Sequence, residues 1–493
     1  MPALPPQRLP PLAALVGLAA LLRFATLDVQ SFWFDEAVTV HLVRMPFADM
    51  LAAIPGSEST PPLYYLLAWT WEALFGSAEI GLRSLSALLG TAAVPVAYLV
   101  GAQLVSRRAG LMAAALVAVN PLLVWYSQEA RAYALLVLLA GLSLLFFARA
   151  KDEGRPRDLA WWAATSALAL ATHYFAVFLV VPEAIWLLAR GACARRGAIL
   201  ASGAVAASGA ALIPLALRQR SNSGAAFIEE SSLGSRAAQA AKQFVVGFDA
   251  PAELVATLAG LALVGAGIAL LAFRADPAER RGARVALAIG VIAIALPLAL
   301  AIAGVDYFLT RNLIAAALPL AVALAAGLGA RRAGRAGLGA AVALSALSLG
   351  IVVAVAAEPS FQRDDWRGAA QALGTPSEQR AIVVMPASGR VPLELYLPRA
   401  RPMPAAGLAL GEVDFIGLAG GKTGAVAASA RPSSWGPPSL PGFRLVERRD
   451  AEAYTTVRLR STTPAFVWPP GLEAAWFGVG RPRAAVLLEP PRD

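Results

Sequence analysis

Two adjacent carboxylates, Asp35 and Glu36, close the run Phe32-Trp33-Phe34-Asp35-Glu36, and a stretch carrying His41 and Arg44 follows. An acid pair in an aromatic setting is a poor way to fill a core. It suits a proton acceptor placed where a chain leaves an apolar phase. A second polar run, Trp125-Tyr126-Ser127-Gln128-Glu129-Ala130-Arg131, brings a carboxylate and a guanidinium close in sequence, and His173, Arg218, Arg220, Lys242 and Arg311 add further candidates. If the ligand is a lipid-linked phosphosugar, a carboxylate accepts the proton of an incoming hydroxyl and cations hold the departing phosphate. General-base help is typically worth about 10² to 10⁴ in rate, and arginine is suited to bidentate phosphate contact. Because phosphate leaves as a stable anion, one carboxylate suffices for an inverting displacement, whereas glycoside hydrolysis typically uses a flanking pair.

Each candidate also has a simpler role. Asp35 and Glu36 suit the cap of the helix that follows them. Glu129 and Arg131 can form a loop ion pair, His173 can be a structural interfacial residue, and Arg23 and Arg218 near helix ends can snorkel to water. Glu183, behind Pro182 in an apolar run, is expensive in lipid, and its depth points to a packed polar contact. No cofactor is otherwise signalled: Asp35, Glu36, Glu129 and His41 offer ligands for a divalent cation only if the fold gathers them.

The elements that must carry these residues are membrane helices. With 58% apolar and 15% charged residues over 493 positions, the chain is too apolar for a soluble globular protein. Apolar runs long enough to cross about 30 Å of hydrocarbon recur from Leu12 to about Ala357. The net charge of +10 calls for no nucleic-acid partner, because the arginines cluster between apolar runs, where the positive-inside rule accounts for them. Cys193 stands alone, so no intrachain disulfide forms.

Placing the clusters Arg107-Arg108, Arg149 to Arg157, Arg190 to Arg196, Arg274 to Arg284 and Arg331 to Arg335 on one side requires about eleven spans, with the N-terminus inside. The short apolar stretch Leu63 to Phe75 then lies in the outer interface. The first outer loop, Val29 to Gly81, is divided by Pro46, Pro55-Gly56 and Pro61-Pro62 into two short interfacial helices. The expected organisation is a polytopic α-helical membrane domain over residues 1–357 and a small α/β soluble domain outside over 358–493. In the latter, Asp364-Asp365-Trp366 opens a helix, Ala381 to Met385 and Leu393 to Leu397 have strand length, and a loose Pro-rich tail begins near Arg431. The same parity sends Asp35-Glu36, Trp125 to Arg131, Thr172-His173-Tyr174, Arg218 to Ala250 and Asp306 to Asn312 to the outer side.

Phe34-Asp35-Glu36-Ala37, Thr60-Pro61-Pro62-Leu63-Tyr64-Tyr65-Leu66, Leu82-Arg83-Ser84-Leu85-Ser86 and Tyr126 to Leu135 resemble bacterial family 39 glycosyltransferases of the GT-C superfamily. That family is related to protein O-mannosyltransferases and to the aminoarabinose transferases that modify lipid A. The resemblance extends over about 1–357. It is looser beyond, where Asp365-Trp366-Arg367 and Tyr396-Leu397 are similar to the outer domain of many bacterial members. It implies a bacterial inner-membrane enzyme with a polyprenyl-phosphate-linked hexose or pentose donor, membrane-lipid surroundings, an inverting mechanism and an outer-face cavity. The implied catalytic residues are Asp35 as base, Glu36 beside it and Glu129. Arg311 matches a basic residue often found at that position and would contact the donor phosphate. Beside the resemblance, the residues themselves offer Arg131, His173, Arg218 and Lys242 for the same phosphate and His41, Tyr64 and Tyr126 for the acceptor or sugar. Any divalent cation would sit at Asp35 and Glu129. The acceptor is a lipid, glycan or protein, the last disfavoured because no β-trefoil domain is inserted.

Two other classes compete. A lipid-linked glycan flippase or transporter needs ionisable residues along a path through the bilayer, yet only Glu183 lies deep. An outer-face ligase or polymerase usually leans on a large late loop with Arg and His, whereas here the strongest motif lies in the first loop.

Overall fold

The computed structural model describes residues 9–189, 195–220, 231–418, 438–477 and 484–491, with Ile228 and Gly436. Cys193 and the first residues of the tail expected from Arg431 lie outside them. The backbone forms two units. One comprises the chain up to Leu27 with Leu42–Val355; the other comprises Asp28–His41 with the chain from Ala356 onward.

The first unit is a helical membrane bundle. Against the expected eleven or so spans, length and apolarity alone support seven crossings among the described residues, or eight if one bent pair is a single span. Helix α1 is Leu9–Phe24, and three helices follow where two were expected: α2 (Phe34–Val43), α3 (Phe47–Ser57) and α4 (Leu63–Phe75). Pro46 stands at the N-cap of α3 and Pro62 at that of α4, whereas Pro55 is accommodated inside the last turn of α3. The bundle continues with α5 (Glu79–Leu104), α6 (Arg107–Val119), α7 (Pro121–Ser127), α8 (Tyr133–Glu153), α9 (Pro156–Thr172), α10 (Val177–Ala189) and α11 (Arg195–Gln219).

Helices α6 and α7 are the bent pair, meeting at 58°. Pro121 has no N–H to continue the ladder, and Asn120 caps α7 by accepting from the Leu123 N–H at 3.1 Å. Carbonyls at the end of α6 therefore need donors from elsewhere. Arg23 of α1 supplies them, donating to the Val117 oxygen at 3.0 Å and the Ala118 oxygen at 2.8 Å. Its Nε also reaches Ser127 Oγ at 3.1 Å. Arg23 is thus fully buried and does not snorkel. Gly90 of α5 makes room for this junction, since a Cβ there would lie 2.0 Å from Ser127 Oγ. Glu183 of α10 joins three helices, accepting from Ser143 of α8 at 2.6 Å and from Trp162 of α9 at 2.8 Å.

The stretch Arg218 to Ala250, read from sequence only as a connection, contains the helix Leu233–Val246. Ser232 caps it, and Leu233, Ala237, Ala240 and Phe244 lie along one face. That face packs on Phe308, Leu313 and the helix Pro277–Ile302. Arg236 donates to Asp306 at 2.8 Å and to the Phe308 oxygen at 2.9 Å, fixing the segment that leads to Arg311.

In the second unit, six strands lie in the order β2-β6-β1-β3-β5-β4: β1 Arg380–Met385, β2 Arg401–Pro402, β3 Leu408–Leu418, β4 Arg444–Asp450, β5 Tyr454–Val467 and β6 Ala485–Glu489. β1 and β3 are parallel and the remaining pairs antiparallel. Asp365 caps the expected helix, Trp366–Leu373, accepting from the Gly368 N–H at 2.8 Å. Two expectations are corrected. Leu393 to Leu397 is no strand: Arg390–Tyr396 is a helix, whose Leu393 packs with Leu397 on Ile382, Val384 and Trp366. Residues 438–477 and 484–491 are no loose tail, because β4, β5 and β6 complete the sheet and Val457, Leu459 and Leu487 are buried in its two layers. Fully buried Arg380 ties β1 to its neighbours through Asp414 at 2.8 Å and Glu489 at 2.7 Å.

Candidate active site

The acid pair opens α2, where exposed helix N–H groups and the macrodipole favour negative charge. The two carboxylates differ in exposure. Glu36 is fully buried, and its Oε2 lies 3.5 Å from the backbone N–H of Trp33, in the position of a cap. Asp35 is half-buried, so it is the carboxylate of the pair within reach of a ligand. The indole N–H of Trp33 is buried with no acceptor among the described residues, leaving a donor for a ligand beside the pair. His41, at the far end of α2, is exposed. This segment belongs to the same unit as the C-terminal sheet, which its position in the chain did not announce.

The first unit contributes a polar cluster at the ends of several helices. Glu129 and Arg131 occupy the tight connection between α7 and α8, where the Arg131 N–H donates to the Glu129 oxygen at 2.7 Å. Both side chains are buried. Arg131 meets Glu58, donating from Nη1 at 2.8 Å and from Nη2 at 3.0 Å, with Tyr65 beneath its guanidinium at 5.9 Å. Thr60 and Tyr65 share a hydrogen bond at 3.1 Å, and Gln219 donates to the Thr60 oxygen at 3.0 Å while accepting from Tyr174 at 2.7 Å. Arg131 therefore enters the cluster with its charge already opposed by a carboxylate.

His173, in the connection after α9, packs against Tyr133 and Phe175, and its Nδ1 accepts from the Phe175 N–H at 3.3 Å. Burial, then the charges of Arg311 and Arg131, push its pKa down to about 3. At neutral pH it is an uncharged hydrogen-bonding group, not a third cation. Tyr126 stacks between Tyr133 and Phe248, with centroids 4.6 and 5.7 Å away. Arg131, His173 and Arg311 thus share one electrostatic neighbourhood.

Of the other candidates, Tyr64 borders this cluster: its ring meets that of Tyr65 at 5.8 Å, and Ser86, its hydroxyl partner, donates to the Arg131 oxygen at 3.4 Å. Lys242 is held by Glu253 at 3.1 Å and by the Phe248 oxygen at 2.7 Å. Arg218 is exposed in the last turn of α11, and Tyr64 is buried with its hydroxyl 3.2 Å from Ser86 Oγ. Among the described residues no three His, Cys, Asp or Glu side chains gather as a metal site, and no step below passes through a metal.

Glu58, Gln219 and Arg236 escaped the sequence reading. Only Glu58 carried a signal, standing just before the Thr60-Pro61-Pro62 motif.

The arrangement is that of a polytopic membrane protein whose fold is that of two solved ArnT structures. Residues 59–217 match the family described as dolichyl-phosphate-mannose-protein mannosyltransferase. Among solved structures, ArnT from Cupriavidus metallidurans bound to undecaprenyl phosphate aligns with TM-score 0.55 and 13% identity, over 90% of this chain and 97% of that one. Its apo state gives 0.54 and 12%, over the same shares, 90% and 97%. The Saccharomyces cerevisiae protein O-mannosyltransferase Pmt1-Pmt2 complex bound to the sugar donor aligns at 0.34 and 18%, over 43% of this chain and 33% of that one. No curated protein sequence matches significantly.

Proposed function

We propose that this protein is an inverting glycosyltransferase that moves a hexose or pentose from a polyprenyl-phosphate donor to an acceptor hydroxyl at the outer face of a bacterial inner membrane. The observation that carries the reading is the set of buried Glu58, Glu129, Arg131 and His173 with half-buried Arg311, most of which falls within or beside the stretch matched by the mannosyltransferase family. ArnT, with the same overall fold, was solved with undecaprenyl phosphate bound, which supports a polyprenyl carrier here. Asp35 takes the proton as the acceptor oxygen attacks the anomeric carbon. The bond from that carbon to the phosphate oxygen breaks, and polyprenyl phosphate departs as an anion. Arg311 faces the growing phosphate charge, and Arg131, oriented by Glu58, adds positive potential. Neutral His173 and Glu129 offer hydrogen bonds to sugar or acceptor hydroxyls. In this reading the membrane helices carry the phosphate-binding side chains, and the basic clusters set the orientation.

The test is release of free polyprenyl phosphate by purified protein in detergent, given a panel of polyprenyl-phosphate sugars with and without a membrane extract as acceptor. Release by wild type and none by Asp35→Asn, with donor still bound, is the expected result. No release from any donor by folded wild-type protein would overturn the reading.

A further inference from the structure

Between α1 and α2 the chain is held by groups from the far end of the sequence. Arg367 donates to the Asp28 oxygen at 2.6 Å and to the Val29 oxygen at 3.0 Å. Gln30 accepts from the Arg363 N–H at 3.0 Å. Ser31 Oγ donates to the Asp364 oxygen at 2.9 Å and accepts from the Trp366 N–H at 2.9 Å. The Phe32 N–H donates to the Tyr396 hydroxyl at 2.8 Å, and the Arg363 guanidinium lies 5.6 Å over the Trp33 ring. Six consecutive residues are gripped this way, and α2 begins at the next one.

We infer that the turn Arg363–Arg367 and Tyr396 of the C-terminal region act as a clamp that sets the position of Asp35, which makes that region part of the catalytic apparatus; the inference rests on the role proposed above for Asp35. The geometry gives the reason. Residues 31–33 are the last before the helix, so their placement fixes where its first turn starts and which way it faces. A slip of one residue rotates a helical side chain by about 100°. A displacement of about 1 Å at a reacting group costs up to about a hundredfold in rate. Three of these contacts go to backbone atoms of the segment and four to the side chains of Gln30, Ser31 and Trp33, so they hold the segment through groups other than the Asp35 carboxylate. Tyr396 and Ser31 are positioning residues here, since each acts through the segment it holds.

Two measurements on full-length protein in detergent decide the matter. Hydrogen–deuterium exchange reads the peptide spanning residues 28–41, and donor turnover reads kcat and KM separately. Tyr396→Phe removes one hydroxyl and keeps the ring; Ser31→Ala removes two hydrogen bonds. Both are expected to speed exchange in the 28–41 peptide while leaving β1 and β3 protected, to lower kcat at least tenfold, and to leave KM for the donor within twofold. Ser31→Thr, which keeps the hydroxyl, is expected to restore both exchange and kcat. Faster exchange with undiminished kcat would overturn the clamp, as would unchanged exchange in both variants. So would equal loosening of β1 and β3, because the contacts would then hold the fold as a whole. Should wild type turn over no donor, the proposed function falls, and the exchange comparison still decides whether these contacts hold the segment.

Discussion

The guanidinium of Arg131 grips the carboxylate of Glu58 through two hydrogen bonds, 2.8 and 3.0 Å long, across 73 residues of chain. Both side chains are buried, so neither charge is solvated once its partner is gone. Removing one partner of such a pair typically costs about 3 to 5 kcal/mol. Thermal unfolding in detergent should show Glu58→Ala and Arg131→Ala each strongly destabilised, and the double variant less so than the sum of the two. Additive losses would mean that the pair does not couple.

Arg23 makes a second, independent prediction. Its donors satisfy the Val117 and Ala118 carbonyls that the Pro121 break leaves open. A buried carbonyl left without a partner costs about 1 to 3 kcal/mol. Arg23→Met should therefore lower stability by more than Arg23→Lys, whose ammonium retains donors for some of its acceptors, the Ala19, Val117 and Ala118 oxygens and Ser127 Oγ. Because α7 leads into the Glu129–Arg131 connection, turnover should fall in the same order. Equal stability of the two variants would show that the break is held by other contacts.

The contrast between these two arginines shows what could be read from sequence. Helix positions were legible because apolar length and arginine clustering report directly on a bilayer. Arg131 was legible as a functional candidate from its motif, but its partner was not, since nothing local links residue 131 to residue 58. Arg23 was misread as snorkelling because its acceptors are main-chain carbonyls, which have no sequence signature. The same reason hid the union of Asp28–His41 with the C-terminal unit, whose hydrogen bonds each have a main-chain atom on one side. The late strands were missed because Arg, Thr and Pro interrupt the apolar alternation of β4 and β5.

Asp364 gives a pH prediction. Burial pushes its carboxyl up to about 6 from an ordinary 3.8. Between these values the folded state binds more protons than the unfolded one, so stability from this group is complete below about 3.8 and is lost as pH rises through about 6. Asp364→Asn removes the titration while keeping the backbone oxygen that receives Ser31. Thermal unfolding followed from pH 4 to 7 should show the variant gaining on wild type as pH rises. A constant difference across that range would mean that Asp364 keeps an ordinary pKa.

The two members of the acid pair should separate cleanly by substitution. Asp35 is half-buried, whereas Glu36 is sealed and turned back toward the Trp33 N–H. If Asp35 is the base, Asp35→Asn slows transfer by about 10² to 10⁴, with little change in unfolding temperature. Glu36→Gln keeps an acceptor oxygen for that N–H, so its main effect should be a modest loss of stability, with kcat reduced far less. Parallel assays of turnover and thermal unfolding on the two variants check this. A larger kcat loss in Glu36→Gln than in Asp35→Asn would transfer the base role to the buried carboxylate, and would require the first turn of α2 to open before the acceptor could reach it.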